Sequence, residues 1–186
     1  MALPTDSRSI NTILATTLDA KLPRITENFF QTNALIQRLL QRAGAGTSLT
    51  SFPHHSYSHT STPGLIVGAA AASDAPVGID IEPEGALRSP EPRTRLLGRI
   101  LAKSEMAALG ALPEPARLDR ALELWCAKES LAKALGTGLT APLAQYEATI
   151  ESQGELRFRQ FPGWGAQVFR QSGLVVALCL PRDLAS

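Results

Sequence analysis

One uninterrupted stretch limits the fold of this chain more than any other feature. Residues 116–135 contain neither glycine nor proline and are rich in Ala, Leu, Lys, Glu and Arg, a composition that predicts the strongest helix of the sequence. Ala-Leu-Pro-Glu-Pro-Ala at 111–116 separates it from a short helical region at 96–109, and Gly136 and Gly138 stop it. Three strand-like runs follow at 146–151, 155–161 and 174–180, with Gly154 and Gly173 at turns.

The first half repeats this order coarsely. Residues 25–42 carry Phe29, Phe30, Leu35, Ile36, Leu39 and Leu40 as a rough helical stripe, with Gly44 and Gly46 after it. Residues 10–22 read as another helix, with Ile13, Leu14 and Leu18 on one side. Residues 48–63, dense in Ser, Thr, His and Pro, read as loop with one short extended piece. Strands are expected at 64–71 and 76–82, joined through Ser73 and Asp74 as a hairpin. Residues 83–95 hold three prolines and form a surface connection. The expected class is α+β in two halves, residues 1–90 and 91–186, each with helix before strands.

Composition excludes several functions. A net charge of +1 lacks the basic excess of a protein built to grip nucleic acid. The two cysteines, Cys126 and Cys179, form no C-x-x-C pair, so neither a disulfide framework nor a zinc site is expected. No secretory signal is visible at 1–10, and the longest apolar run, 65–72, is too short to span a bilayer. The expectation is a soluble cytoplasmic protein.

Three clusters carry possible chemistry. In Gly78-Ile79-Asp80-Ile81-Glu82, strand alternation sends Val77, Ile79 and Ile81 to a core and puts Asp80 and Glu82 on the other face. Two carboxylates about 6–7 Å apart along a strand repel unless a cation or solvent screens them. All-oxygen ligands suit a hard ion such as Mg²⁺. Alone, the pattern reads better as the wet face of a half-buried strand. In Trp125-Cys126-Ala127-Lys128-Glu129-Ser130-Leu131-Ala132-Lys133, the residues Trp125, Glu129 and Lys133 stack on one helix face. Alone, that is also a core anchor and a surface ion pair. In Ser56-Tyr57-Ser58-His59-Thr60, a histidine beside hydroxyls can hold a phosphate, or be an ordinary loop histidine.

In this order, S-H, G-I-D-I-E and W-x-x-K-E-S-x-x-K, the clusters resemble the Sfp-type 4′-phosphopantetheinyl transferases. Ile100-Leu101-Ala102-Lys103-Ser104-Glu105 resembles the family's short helix, Gly136-Thr137-Gly138-Leu139 its helix end, and 174–180 its last strand. The resemblance covers about residues 56–181. Upstream it departs: the family's G-K-P segment is replaced by Thr50-Ser51-Phe52-Pro53, and the basic residues are Lys21, Arg24, Arg38 and Arg42.

The resemblance implies two similar α/β subdomains packed as a pseudo-dimer, with coenzyme A between them. It implies transfer of the phosphopantetheine arm to a serine of an acyl-, polyketide- or peptidyl-carrier protein, with release of 3′,5′-ADP. Asp80, Glu82 and Glu129 would bind Mg²⁺, with Mn²⁺ able to substitute. Glu129 would take the serine proton; Glu82 acting through a water would serve the same end. Lys133 would face the phosphates, Lys128 would lie near the same site, His59 would bind the pyrophosphate region and Ser58 the 3′-phosphate. Trp125 would fix the helix by packing, and Glu105 would support the metal. Arg93, Arg95, Arg99 and Lys103 would meet an acidic carrier helix, or form a plain solvated face. The fused halves suggest a monomer.

Three rivals remain. A silent homologue would bind coenzyme A or a carrier protein without transfer. A metal-dependent nuclease would use the same carboxylates but needs a basic groove. The shorter trimeric holo-acyl-carrier-protein synthases share Lys-Ala-Leu-Gly-Thr-Gly at 133–138 but place the metal aspartate near the N-terminus, whereas Asp80 lies mid-chain.

Overall fold

The computed structural model describes residues 10–17, 54–62, 65–73, 75–88, 93–138, 142–151, 154–171 and 173–182. Three strands, β1 (Ile10–Thr17), β2 (His54–Thr62) and β3 (Leu65–Ser73), form an antiparallel sheet in the order β1-β3-β2. The strand β4 (Gly78–Pro83) leads through a 3₁₀ turn (Ala86–Arg88) into the helices α1 (Arg93–Ile100), α2 (Lys103–Gly110) and α3 (Glu114–Ala134). Then β5 (Ala148–Ile150), β6 (Glu155–Phe158), β7 (Phe161–Gln171) and β8 (Leu174–Pro181) complete a second antiparallel sheet, β4-β8-β7-β6-β5. The class is α+β. Among the described residues no helix is long and apolar enough to cross a membrane.

The layering follows from β8, which is buried from Leu174 to Ala177 and again at Cys179 and Leu180. A strand apolar on both sides must be covered on both. Val175, Ala177 and Cys179 face α3, in a core with Leu122, Ala127 and Leu131. Val176 and Leu180 face the other way, in a core with Ile79, Ile81 and with Ala69 and Ala71 of β3. Both cysteines are free and buried.

The contact between β4 and α3 is unusually close. A Cβ on Gly78 would lie 1.8 Å from the carbonyl oxygen of Ser130 and 2.7 Å from the amide nitrogen of Ala134. Glycine is required here because strand and helix backbones touch. On the helix, Ala127, Ser130 and Ala134 keep the facing surface low, and the Ser130 hydroxyl folds back onto the Ala127 carbonyl at 2.8 Å. The helix ends where expected: Leu135 is its C-cap and Gly136 follows with a φ of 68°. Gly154 and Gly173 also stand at turns with positive φ.

Five expectations need correction. Residues 10–17 form a strand, not a helix; Ile10, Thr12, Ile13, Thr16 and Thr17 are β-branched and favour extended backbone. Residues 54–62 are a full strand rather than loop. The β3–β4 hairpin does not form, because the two strands belong to different sheets and β4 pairs with β8, Asp80 opposite Ala177. The helical region at 96–109 is two helices, with Ala102 in extended backbone at the N-cap of α2. Finally, β7 spans Phe161–Gln171 although Pro162, Gly163 and Gly165 disguise it. The helix expected at 25–42 lies outside the described residues. β4 and β8 lie on opposite sides of the expected division at residue 90, yet they share one sheet.

Candidate active site

Strand alternation on β4 puts Ile79 and Ile81 into the core between the sheets, each fully buried. Asp80 and Glu82 turn to the opposite face, in register with Ala177 and Val175, whose side chains pack under α3. That face is not wet: Asp80 is only 2% exposed. The pair therefore requires polar partners on the covering elements.

Helix α3 supplies one set. The Lys133 ammonium donates to Asp80 Oδ1 at 2.7 Å and to the Ile79 carbonyl at 3.1 Å. Glu129, one turn earlier, accepts from the Trp125 indole N–H at 2.5 Å. The i,i+4 stack read from the sequence thus exists, but Lys133 is engaged by β4, and Trp125 holds the Glu129 carboxylate as well as packing.

Strand β2 supplies the other set. Ser56 Oγ accepts from the Ile79 N–H at 2.9 Å, Ser58 Oγ donates to Asp80 Oδ1 at 2.9 Å, and Thr60 Oγ1 donates to Glu82 Oε2 at 3.4 Å. Ser58 is buried. Its expected place is at a 3′-phosphate; in the structure its hydroxyl donates to Asp80. His59, the next residue along the strand, is exposed, so the structure does not bring it to the carboxylates.

The electrostatics record the crowding. Burial, with help from Asp80 and then Glu129, lifts Glu82 to about 7, against the pull of Lys133 and the Thr60 hydrogen bond. Burial and Asp80 also raise Glu129, opposed by the Trp125 hydrogen bond and Lys133. Two carboxylates whose proton affinity is raised by burial and by the neighbouring Asp80 form a site that gains from a cation. One atom points the same way: Asp80 Oδ2 is buried with no hydrogen-bond partner, whereas Oδ1 has two. A buried carboxylate oxygen left bare is costly unless something binds it. Among the described residues no three carboxylates, imidazoles or thiols are already gathered in ligating geometry. The donor set, all oxygen, fits a hard divalent ion.

Lys128, expected near the same site, is wholly buried on α3, with its ammonium on Glu105 Oε2 at 2.5 Å and the Ile100 carbonyl at 2.8 Å. Burial lowers its pKa, and Glu105 works against that. Glu105 also accepts from the backbone N–H of Ala102 and of Ala148, each at 2.7 Å. It ties together the end of α1, the start of α2, α3 and β5. The spacing within Trp125–Lys133 could have signalled this, since Lys128 lies off the Trp125-Glu129-Lys133 face.

Of the expected carrier contacts, Arg99 and Lys103 are exposed; the side chains of Arg93 and Arg95 lie outside the description. Sequence reading missed Ser56 and Thr60 as partners of β4. Their period of two was the available signal.

The family model for the 4′-phosphopantetheinyl transferase superfamily matches residues 76–179, from just before β4 into β8. No curated protein matches the chain.

Proposed function

The chain belongs to the 4′-phosphopantetheinyl transferase superfamily, and from that premise we propose that it transfers the phosphopantetheine arm of coenzyme A to a serine of an apo acyl-, polyketide- or peptidyl-carrier protein. The observation that carries this reading is Asp80, held by Lys133 with Oδ2 buried and bare, and near enough to Glu82 and Glu129 to raise the pKa of both. The W-x-x-K-E-S form and the mid-chain aspartate support the Sfp-type branch, with its two α/β halves as a pseudo-dimer, a monomeric state and a cytoplasmic location.

Asp80 through Oδ2, Glu82 and Glu129 would hold Mg²⁺. When bound, that ion supplies charge neutralisation on the pyrophosphate of coenzyme A. The chain's own residues do the rest. In the reaction the serine oxygen bonds to the β-phosphorus of coenzyme A, and the bond to 3′,5′-ADP breaks. Glu129 receives the serine proton as general base. Trp125 holds one of its oxygens through the indole N–H and leaves the other without that donor. Lys133 anchors Asp80 with one proton and the Ile79 carbonyl with another; an ammonium has three, and the third can reach a phosphate oxygen as negative charge develops. His59, exposed on β2, would contact the donor's phosphates from outside the carboxylate cluster.

Intact-mass measurement on a panel of apo carrier proteins, with this protein, coenzyme A and Mg²⁺, tests the proposal. One phosphopantetheine of added mass, absent with EDTA or with Asp80→Ala, is expected. Binding of coenzyme A without any mass gain would instead identify a silent homologue.

A further inference from the structure

Strand β2 meets β4 without a backbone ladder: the two strands lie in different sheets. What joins them is a row of side chains at every second position. Ser56 caps the outward N–H of Ile79, Ser58 reaches Asp80, and Thr60 reaches Glu82. Because β4 is the edge of its sheet, its outward backbone groups need such partners. A period-two row of hydroxyls thus runs beside a period-two row of carboxylates, one hydroxyl to each carboxylate.

We propose that this row is a positioning device for a divalent cation, with Ser58 the residue that decides which oxygen of Asp80 is offered. The proposal rests on the reading that Asp80, Glu82 and Glu129 bind such a cation. Asp80 Oδ1 takes both the Ser58 hydroxyl and the Lys133 ammonium, and Oδ2 takes neither. Two donors on one oxygen fix the carboxylate plane and leave the other oxygen as the only one free to ligate. Lys133 alone cannot do this, because its flexible stem lets the ammonium follow the carboxylate as it rotates. Ser58 sits on a strand, buried, with its backbone already fixed by pairing to Ala69. Its hydroxyl therefore defines the rotation. Thr60 does the same for Glu82 over a longer bond, 3.4 Å.

The test is Mn²⁺ binding to the full chain without coenzyme A, read as free Mn²⁺ by electron paramagnetic resonance. Loss of a partner that orients a ligating carboxylate weakens metal binding by about 10–100-fold. Ser58→Ala should weaken Mn²⁺ binding about tenfold or more, and Ser58→Thr, which keeps the hydroxyl, should restore it. Thr60→Val should show a smaller loss. Coenzyme A binding in EDTA should be the same for Ser58→Ala and the native chain. Native Mn²⁺ affinity in Ser58→Ala would overturn the inference alone, as would an unchanged Mn²⁺ affinity with weakened metal-free coenzyme A binding. Absence of Mn²⁺ binding by the native chain would overturn the inference together with the cation site beneath it.

Discussion

Replacing Glu82 by Gln should remove a pH dependence of stability that the carboxylate cluster creates. Glu82 titrates at about 7 in the folded chain against 4.5 in the absence of its surroundings. The folded state therefore holds this proton over a range in which the unfolded chain has released it. Its contribution is fully present below about pH 4.5 and is lost as pH rises through about 7. At about 1.36 kcal/mol per pH unit, the loss is at most about 3 kcal/mol. For a chain of this size that corresponds to roughly 6–12 °C in melting temperature. The assay is thermal unfolding by calorimetry in EDTA at steps between pH 5 and 8, for the native chain and Glu82→Gln. The two should melt alike at the acid end, and the variant should become the more stable of the pair as pH rises. Mg²⁺ at pH 8 should recover most of the loss in the native chain and much less in the variant. Parallel pH curves for the two proteins would refute the reasoning, since every other titrating group is common to both.

Gly78→Ala should destabilise the chain by about 1–3 kcal/mol or more, because the new methyl meets backbone atoms of α3 that cannot move aside; chemical denaturation measures it. Lys128→Met should cost about 3–5 kcal/mol by leaving Glu105 buried without its cation, and the midpoint of urea unfolding reads that out. Glu129→Gln should reduce carrier modification by about 10²–10⁴-fold, the range for a general base, with no loss of melting temperature; normal turnover in the intact-mass assay would remove Glu129 from that role.

The sequence by itself determined the features whose causes are local. The long helix ends at Gly136 because residues 116–135 offer nothing that stops it earlier, and the turns at Gly154 and Gly173 use glycine at positive φ. Alternation in residues 77–82 fixed that Asp80 and Glu82 share a face, and i,i+4 spacing that Trp125 and Glu129 meet. Local pattern does not say what covers a face. Only the tertiary structure decided that α3 closes over Asp80 and turns a supposedly wet strand face into a buried one. The same limit explains β2: its serines and threonine look like loop residues until β4 provides the N–H and carboxylates that satisfy them. It explains Lys128 too, whose burial depends on Glu105 arriving from another helix. Strand partners were equally invisible. The short link after β3 favoured a hairpin, but the apolar faces of β4 and β8 bury more when paired between α3 and the first sheet, and long-range burial outweighs a convenient turn.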